Sequence, residues 1–141
     1  MRRVAGVWSW LVVLSLAVAA CGGGGGTSAD PALKELQRVK SGNLDVVLLA
    51  PSGAITHGKD TFILEFREAG TLRDVGTVKA NATMPMAGMP PMFGTLELKP
   101  SDAPGRYSVT SDLGMAGTWQ INVEWQGPAG TGSTTLRGAV Q

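Results

Sequence analysis

The sequence predicts an all-β fold, an immunoglobulin-like, seven-stranded antiparallel β-sandwich preceded by a signal peptide, a glycine linker and a short helix. Three observations point to it. From Asn43 onward, apolar and polar residues alternate in short runs, the period-two pattern of half-buried strands. Turn chemistry separates the runs: Pro51-Ser52-Gly53, Gly58-Lys59-Asp60, Glu68-Ala69-Gly70, Asp102-Ala103-Pro104-Gly105 and Gly127-Pro128-Ala129-Gly130. Seven such runs in about 100 residues fit a sandwich in which each strand buries one face and wets the other.

The chain opens with Arg2 and Arg3, then an apolar run from Val7 to Ala20 interrupted only by Ser9 and Ser15. It is shorter than the roughly 20 apolar residues a spanning helix needs. Basic residues, a short apolar run and a small-residue end read as a secretory signal, residues 1–20. The closing Val18-Ala19-Ala20-Cys21 resembles the lipobox of bacterial lipoproteins, which implies cleavage before Cys21 and a lipid on its sulfur. An ordinary secretory signal with a chance cysteine is the alternative. Cys21 is the one cysteine, so a lipidated mature chain has no free thiol and no disulfide. Several acyl chains hold such a protein stably on a membrane. The expected location is therefore the cell envelope, on the outer side of the cytoplasmic membrane or at the outer membrane. Gly22 stands where an aspartate would resemble an inner-membrane retention signal, which favours the outer membrane.

Residues 21–30 hold the lipidated cysteine and a flexible linker, Gly22 to Gly26 followed by Thr27 and Ser28. The folded domain spans residues 31–141. Asp30-Pro31 is a helix-start signal, Leu33, Leu36 and Val39 share one helical face, and Ser41-Gly42 supplies a stop. Residues Pro31–Lys40 thus read as a short helix. The strand runs follow as Asn43–Leu49, Thr61–Arg67, Val75–Met84, Thr95–Lys99, Arg106–Ser111, Thr118–Trp125 and Ser133–Val140. Trp119, Trp125, Phe62, Phe66 and Tyr107 are the expected large core residues.

Four of the five methionines after the initiator lie in Met84-Pro85-Met86-Ala87-Gly88-Met89-Pro90-Pro91-Met92, and the fifth, Met115, lies in a second glycine-containing turn. A thioether is a soft, uncharged ligand suited to Cu(I) or Ag(I). The three prolines predict a constrained loop with a turn at Gly88, presenting Met86, Met89 and Met92. Met84 and Met115 complete the candidate set. His57, the one histidine, could add an imidazole ligand or be a plain surface residue. The same methionines could instead fill core gaps or dock a partner protein. Both readings stand at this point: a copper-binding protein, or a metal-independent interaction module docking to an envelope transporter or adaptor.

Other chemistries find little support. After residues 1–20 the chain carries 10 basic and 11 acidic residues, scattered, with no basic stripe for nucleic acid. A blue-copper site needs a cysteine thiolate and two histidines. No cysteine, histidine and carboxylate cluster suggests zinc, and no Gly-x-Ser-x-Gly elbow accompanies His57. The chain reads as a non-enzyme.

Ser41-Gly42-Asn43-Leu44, Gly58-Lys59-Asp60-Thr61-Phe62, Asp74-Val75-Gly76, Met84-Pro85-Met86, Pro104-Gly105-Arg106-Tyr107 and Met115-Ala116-Gly117-Thr118-Trp119 occur in that order. Together they resemble the YtkA-like domain family, related in architecture to FixH-type proteins, over about Ser41 to Val140. The resemblance implies an immunoglobulin-like sandwich outside a membrane, in copper resistance, efflux-adaptor or oxidase-assembly settings. It puts Met84, Met86, Met89 and Met115 on the family's methionine motifs, with Met92 extending the loop. A lipid anchor in place of a membrane helix departs from FixH-type proteins.

Overall fold

The computed structural model describes residues 32–141. The expected signal peptide, the expected lipidation site Cys21 and the glycine linker lie outside the described residues. Nine strands follow in order: β1 (Lys34–Ser41), β2 (Leu44–Ala50), β3 (Gly58–Glu68), β4 (Thr71–Leu72), β5 (Thr77–Met86), β6 (Met89–Pro100), β7 (Arg106–Leu113), β8 (Gly117–Gly127) and β9 (Gly130–Val140). Every pairing within the ladders is antiparallel.

One sheet runs β1-β2-β3-β7 and ends on the second half of β6, with β4 paired to β3. The other runs from the first half of β6 through β5 and β8 to β9. Without β1 and β4, the orders β2-β3-β7-β6 and β5-β8-β9 are the four-plus-three arrangement of a constant-type immunoglobulin sandwich. β6 changes sheets at Gly94 and Thr95, pairing β5 up to Gly94 and β7 from Thr95. Only a glycine fits the crossing, because a Cβ on Gly94 would lie 2.4 Å from Leu113 Cδ2 and 3.2 Å from Trp119 Cζ3. On the opposite side, β1 and β9 approach without a ladder. The Arg137 amide donates to Gln37 Oε1, and the Ser41 hydroxyl donates to the Ser133 carbonyl at 3.4 Å. A parallel bridge joins Ile55 to Val140. The sandwich is therefore nearly closed into a barrel.

The five expected aromatic core residues are all buried. Phe66 meets Tyr107 and Trp125 edge-on, with ring centroids 5.7 and 5.4 Å apart, the favourable geometry for aromatic quadrupoles.

Three expectations need correction. The short helix over Pro31–Lys40 is absent among the described residues, where Lys34–Ser41 is strand β1. Its apolar spacing of three is a bulged strand: Glu35 faces Leu49 and Gln37 faces Leu48, so two steps on β1 match one on β2. Leu36 and Val39 thereby both reach the core. Gly42-Asn43 is the two-residue turn of a β1–β2 hairpin, with Gly42 at φ +62°, rather than a helix stop. Among the described residues the strand count is nine, not seven, because β1 and the two-residue β4 join the seven expected runs. The methionine segment is a β-hairpin, not an irregular loop.

Candidate metal centre

β5 continues through Pro85 to Met86, turns at Ala87-Gly88, and returns as β6 from Met89. Gly88 sits at φ +75°, a conformation that a side chain disfavours. The prolines do not break the ladder because they fall at its irregular point, where a missing N–H removes no cross-strand bond. Met84 pairs with Met92 and Met86 pairs with Met89, so two steps along β5 match three along β6. Pro90 and Pro91 together oppose Pro85.

That bulge decides the chemistry. In a regular strand, residues three apart point to opposite faces. Met89 and Met92 are three apart, yet the extra residue restores them to one face. Met84 and Met86, two apart on β5, share a face as they stand. All four thioethers therefore issue from one side of the hairpin as two facing pairs. Paired positions across antiparallel strands lie about 4.5–5.5 Å apart at Cβ, within the span of one ion held between two sulfurs.

The face points toward the end of the sandwich. Met84 and Met92 are half-buried and pack against the core. The β7–β8 turn, Gly114 to Ala116, lies against them. A Cβ on Gly117 would stand 3.2 Å from Met84 Sδ, and one on Gly114 would stand 3.9 Å from Met92 Sδ. Glycine at 117 leaves room for the Met84 sulfur, while the Gly114 position is in ordinary contact range of the Met92 sulfur. Met115 rides between those glycines, and its carbonyl accepts a 3.0 Å hydrogen bond from the Trp119 indole. The turn is thus pinned to a fully buried side chain. Met115 is 39% exposed and Met89 is 60% exposed.

His57 lies at the same end. Gly58 pairs with Leu113, so His57 occupies the next register position, opposite Gly114. Its Nδ1 lies 2.9 Å from the Gln141 main-chain oxygen, which also accepts from the His57 amide at 2.8 Å. An oxygen of that kind only accepts, so Nδ1 carries the hydrogen in the neutral ring. Nε2 is left as the lone-pair nitrogen, the arrangement in which a histidine ligates metal. The sequence named His57 but held no signal for this orientation, which depends on the contact with the chain's last residue.

Of the expected residues, Met84 and Met92 lie against the β7–β8 turn that carries Met115, Met86 and Met89 pair nearer the hairpin tip, and His57 shares that end. Cys21 lies outside the described residues. Among the described residues no group of three or more His, Cys, Asp or Glu could hold a metal. The donor set on offer is thioether with one imidazole, a soft set. A cavity of about 370 Å³ lies elsewhere, on the outer face of β5, β8 and β9. Lys79, Glu124, Gln126 and hydroxyl residues line it, and it contains no methionine.

A family model described as YtkA-like matches residues 38–124, a span that includes His57, the hairpin and Met115. No curated protein matches the chain. Among solved structures it is similar to the Lin-41 filamin domain, with 18% identity over 62% of this chain and 81% of that one, at a TM-score of 0.42.

Proposed function

The chain belongs to the YtkA-like family, and from that premise we propose a membrane-anchored cell-envelope lipoprotein that binds Cu(I) through its methionine hairpin, for copper sequestration or transfer. The observation that carries this reading is the proline bulge, which gathers four thioethers on one face, two of them against the turn that carries Met115. A core needs apolar volume at that position, and leucine would supply it. It does not need sulfur presented on a face that runs out into solvent. Thioether bonds to copper are weak and exchange quickly, which suits storage and handover rather than catalysis. Ligand exchange of this kind needs no general acid, base or nucleophile, and the chain is read as a non-enzyme.

The test is an anaerobic competition titration of the full chain with Cu(I) against a chromogenic chelator. The wild-type chain takes up one ion. A Met84→Leu/Met92→Leu/Met115→Leu variant, which keeps volume and removes sulfur, binds at least ~10-fold more weakly, about 1.4 kcal/mol. Unchanged affinity in that variant contradicts the reading. The lipid anchor has its own check: fatty-acid labelling of the expressed protein is lost in Cys21→Ser.

A second reading has one observation in its favour. Phe93, on the opposite face of the hairpin from Met92, is 73% exposed, next to the exposed Pro91. An apolar surface of this kind fits a metal-independent interaction module docking to an envelope transporter or adaptor. In that case Phe93→Asp abolishes capture of the partner with copper chelated away, while Met→Leu changes are tolerated.

A further inference from the structure

The hairpin methionines differ in depth. Met84 and Met92 pack against the core and lie beside the glycines that flank Met115. Met86 and Met89 lie beyond the last β8 partner, Gln120, which pairs with Thr83. Met89 is among the most exposed large apolar residues described. The two pairs are separated by one two-residue step on β5, about 7 Å at strand rise. They share a face only because of the bulge.

We propose that the hairpin offers a soft cation two positions in series: an inner one made by Met84, Met92 and Met115, where the ion is held, and an outer pair, Met86 and Met89, where it is received and released. This rests on the Cu(I) reading above and adds a direction of travel to it. Two thioethers leave Cu(I) under-coordinated, so the outer pair has room for donor atoms of a delivering or accepting molecule. Two half-buried thioethers beneath the pinned turn, joined by Met115 from the turn itself, make a more complete shell. Passage between them exchanges one Cu–S bond for another, with no change of oxidation state and no proton moved. The unbranched methionine side chain, with three rotatable bonds, lets a sulfur follow the ion between adjacent positions.

The test separates affinity from rate. The full chain is loaded anaerobically with one equivalent of Cu(I) and mixed rapidly with excess chromogenic Cu(I) chelator. Met86→Leu/Met89→Leu is expected to hold copper within ~3-fold of the wild-type affinity but to release it at least ~10-fold more slowly. Met84→Leu/Met92→Leu is expected to lose at least ~10-fold in affinity while releasing the ion no more slowly than wild type. Wild-type release from the Met86→Leu/Met89→Leu variant would overturn the serial arrangement. Loss of affinity in that variant would also overturn it, by placing the ion at the tip. Both of those results leave Cu(I) binding intact, whereas a wild-type chain that binds no Cu(I) overturns the underlying reading as well. Met89→Leu alone, at a solvent-exposed position, repeats the rate measurement without touching the core and is expected to slow release in the same sense.

Discussion

Single side chains tie the two sheets together. The Tyr107 hydroxyl, on β7, donates a 2.7 Å hydrogen bond to the Gly76 carbonyl at the start of the opposite sheet. Burial first, and the nearby Asp74 second, push its ionisation above the ordinary tyrosine value. The folded protein therefore holds that proton more tightly than the unfolded chain. Stability from this group is intact below the unfolded value of about 10 and falls as pH rises through the raised folded value. Urea midpoints should stay level from neutral pH and decline above about pH 10. Tyr107→Phe should lose about 1 kcal/mol at neutral pH and show a shallower alkaline decline. Glu65, fully buried, accepts from Arg67 Nε at 2.7 Å and Arg106 Nε at 2.8 Å. Glu65→Leu strips the counter-charge from two guanidinium groups that the fold largely covers, and should cost about 3–5 kcal/mol in a urea titration. At the candidate site, Gly117 has φ +143°, and a Cβ there would lie 2.9 Å from Met84 Cε. Gly117→Ala should cost about 1–3 kcal/mol and displace the Met84 sulfur, lowering Cu(I) affinity in the same titration.

At the scale of the element, the hairpin presents its sulfurs on one face because a bulge absorbs an odd spacing. Deleting Pro91 removes the extra residue of β6 and leaves Met89 and Met92 two apart, on one face of a regular strand without the bulge. The expected result is copper affinity and release within ~3-fold of wild type, read by chelator exchange. The same arithmetic explains what the sequence hid. Leu36 and Val39, three apart, look like one face of a helix, and Met89 and Met92, three apart among prolines, look like a loop. In each case a bulge converts an odd spacing to an even one, and periodicity alone cannot see an inserted residue. Regular alternation was legible where no bulge intervened. In β8, Trp119, Ile121, Val123 and Trp125 are all buried, as their spacing requires. For β1, the Gly42-Asn43 dipeptide carried a hairpin signal that competed with the helix cap at Asp30-Pro31. Pairing with β2 decided between them, and that pairing is a tertiary fact.

At the scale of the molecule, sheet-switching by β6 and the near-closure of β1 on β9 leave the methionine end as the place where several turns meet. Strand order brings three separate stretches of sequence there: His57 before β3, the β5–β6 hairpin, and the β7–β8 turn. Which residues carry the soft donors was readable from composition. Their placement was not, because it follows from ladder register and from Gly117, which leaves space for the Met84 sulfur. The assembled donors also predict the pH response of the site. Thioethers have no proton to lose near neutrality, so Cu(I) affinity is expected to stay flat with pH around neutrality, read in the same competition titration. The most direct measurement is X-ray absorption at the copper edge of the Cu(I)-loaded full chain. The expected coordination is dominated by sulfur, with at most one nitrogen, and has fewer sulfurs in Met84→Leu/Met92→Leu. A shell of nitrogen and oxygen alone, unchanged by that substitution, would contradict it.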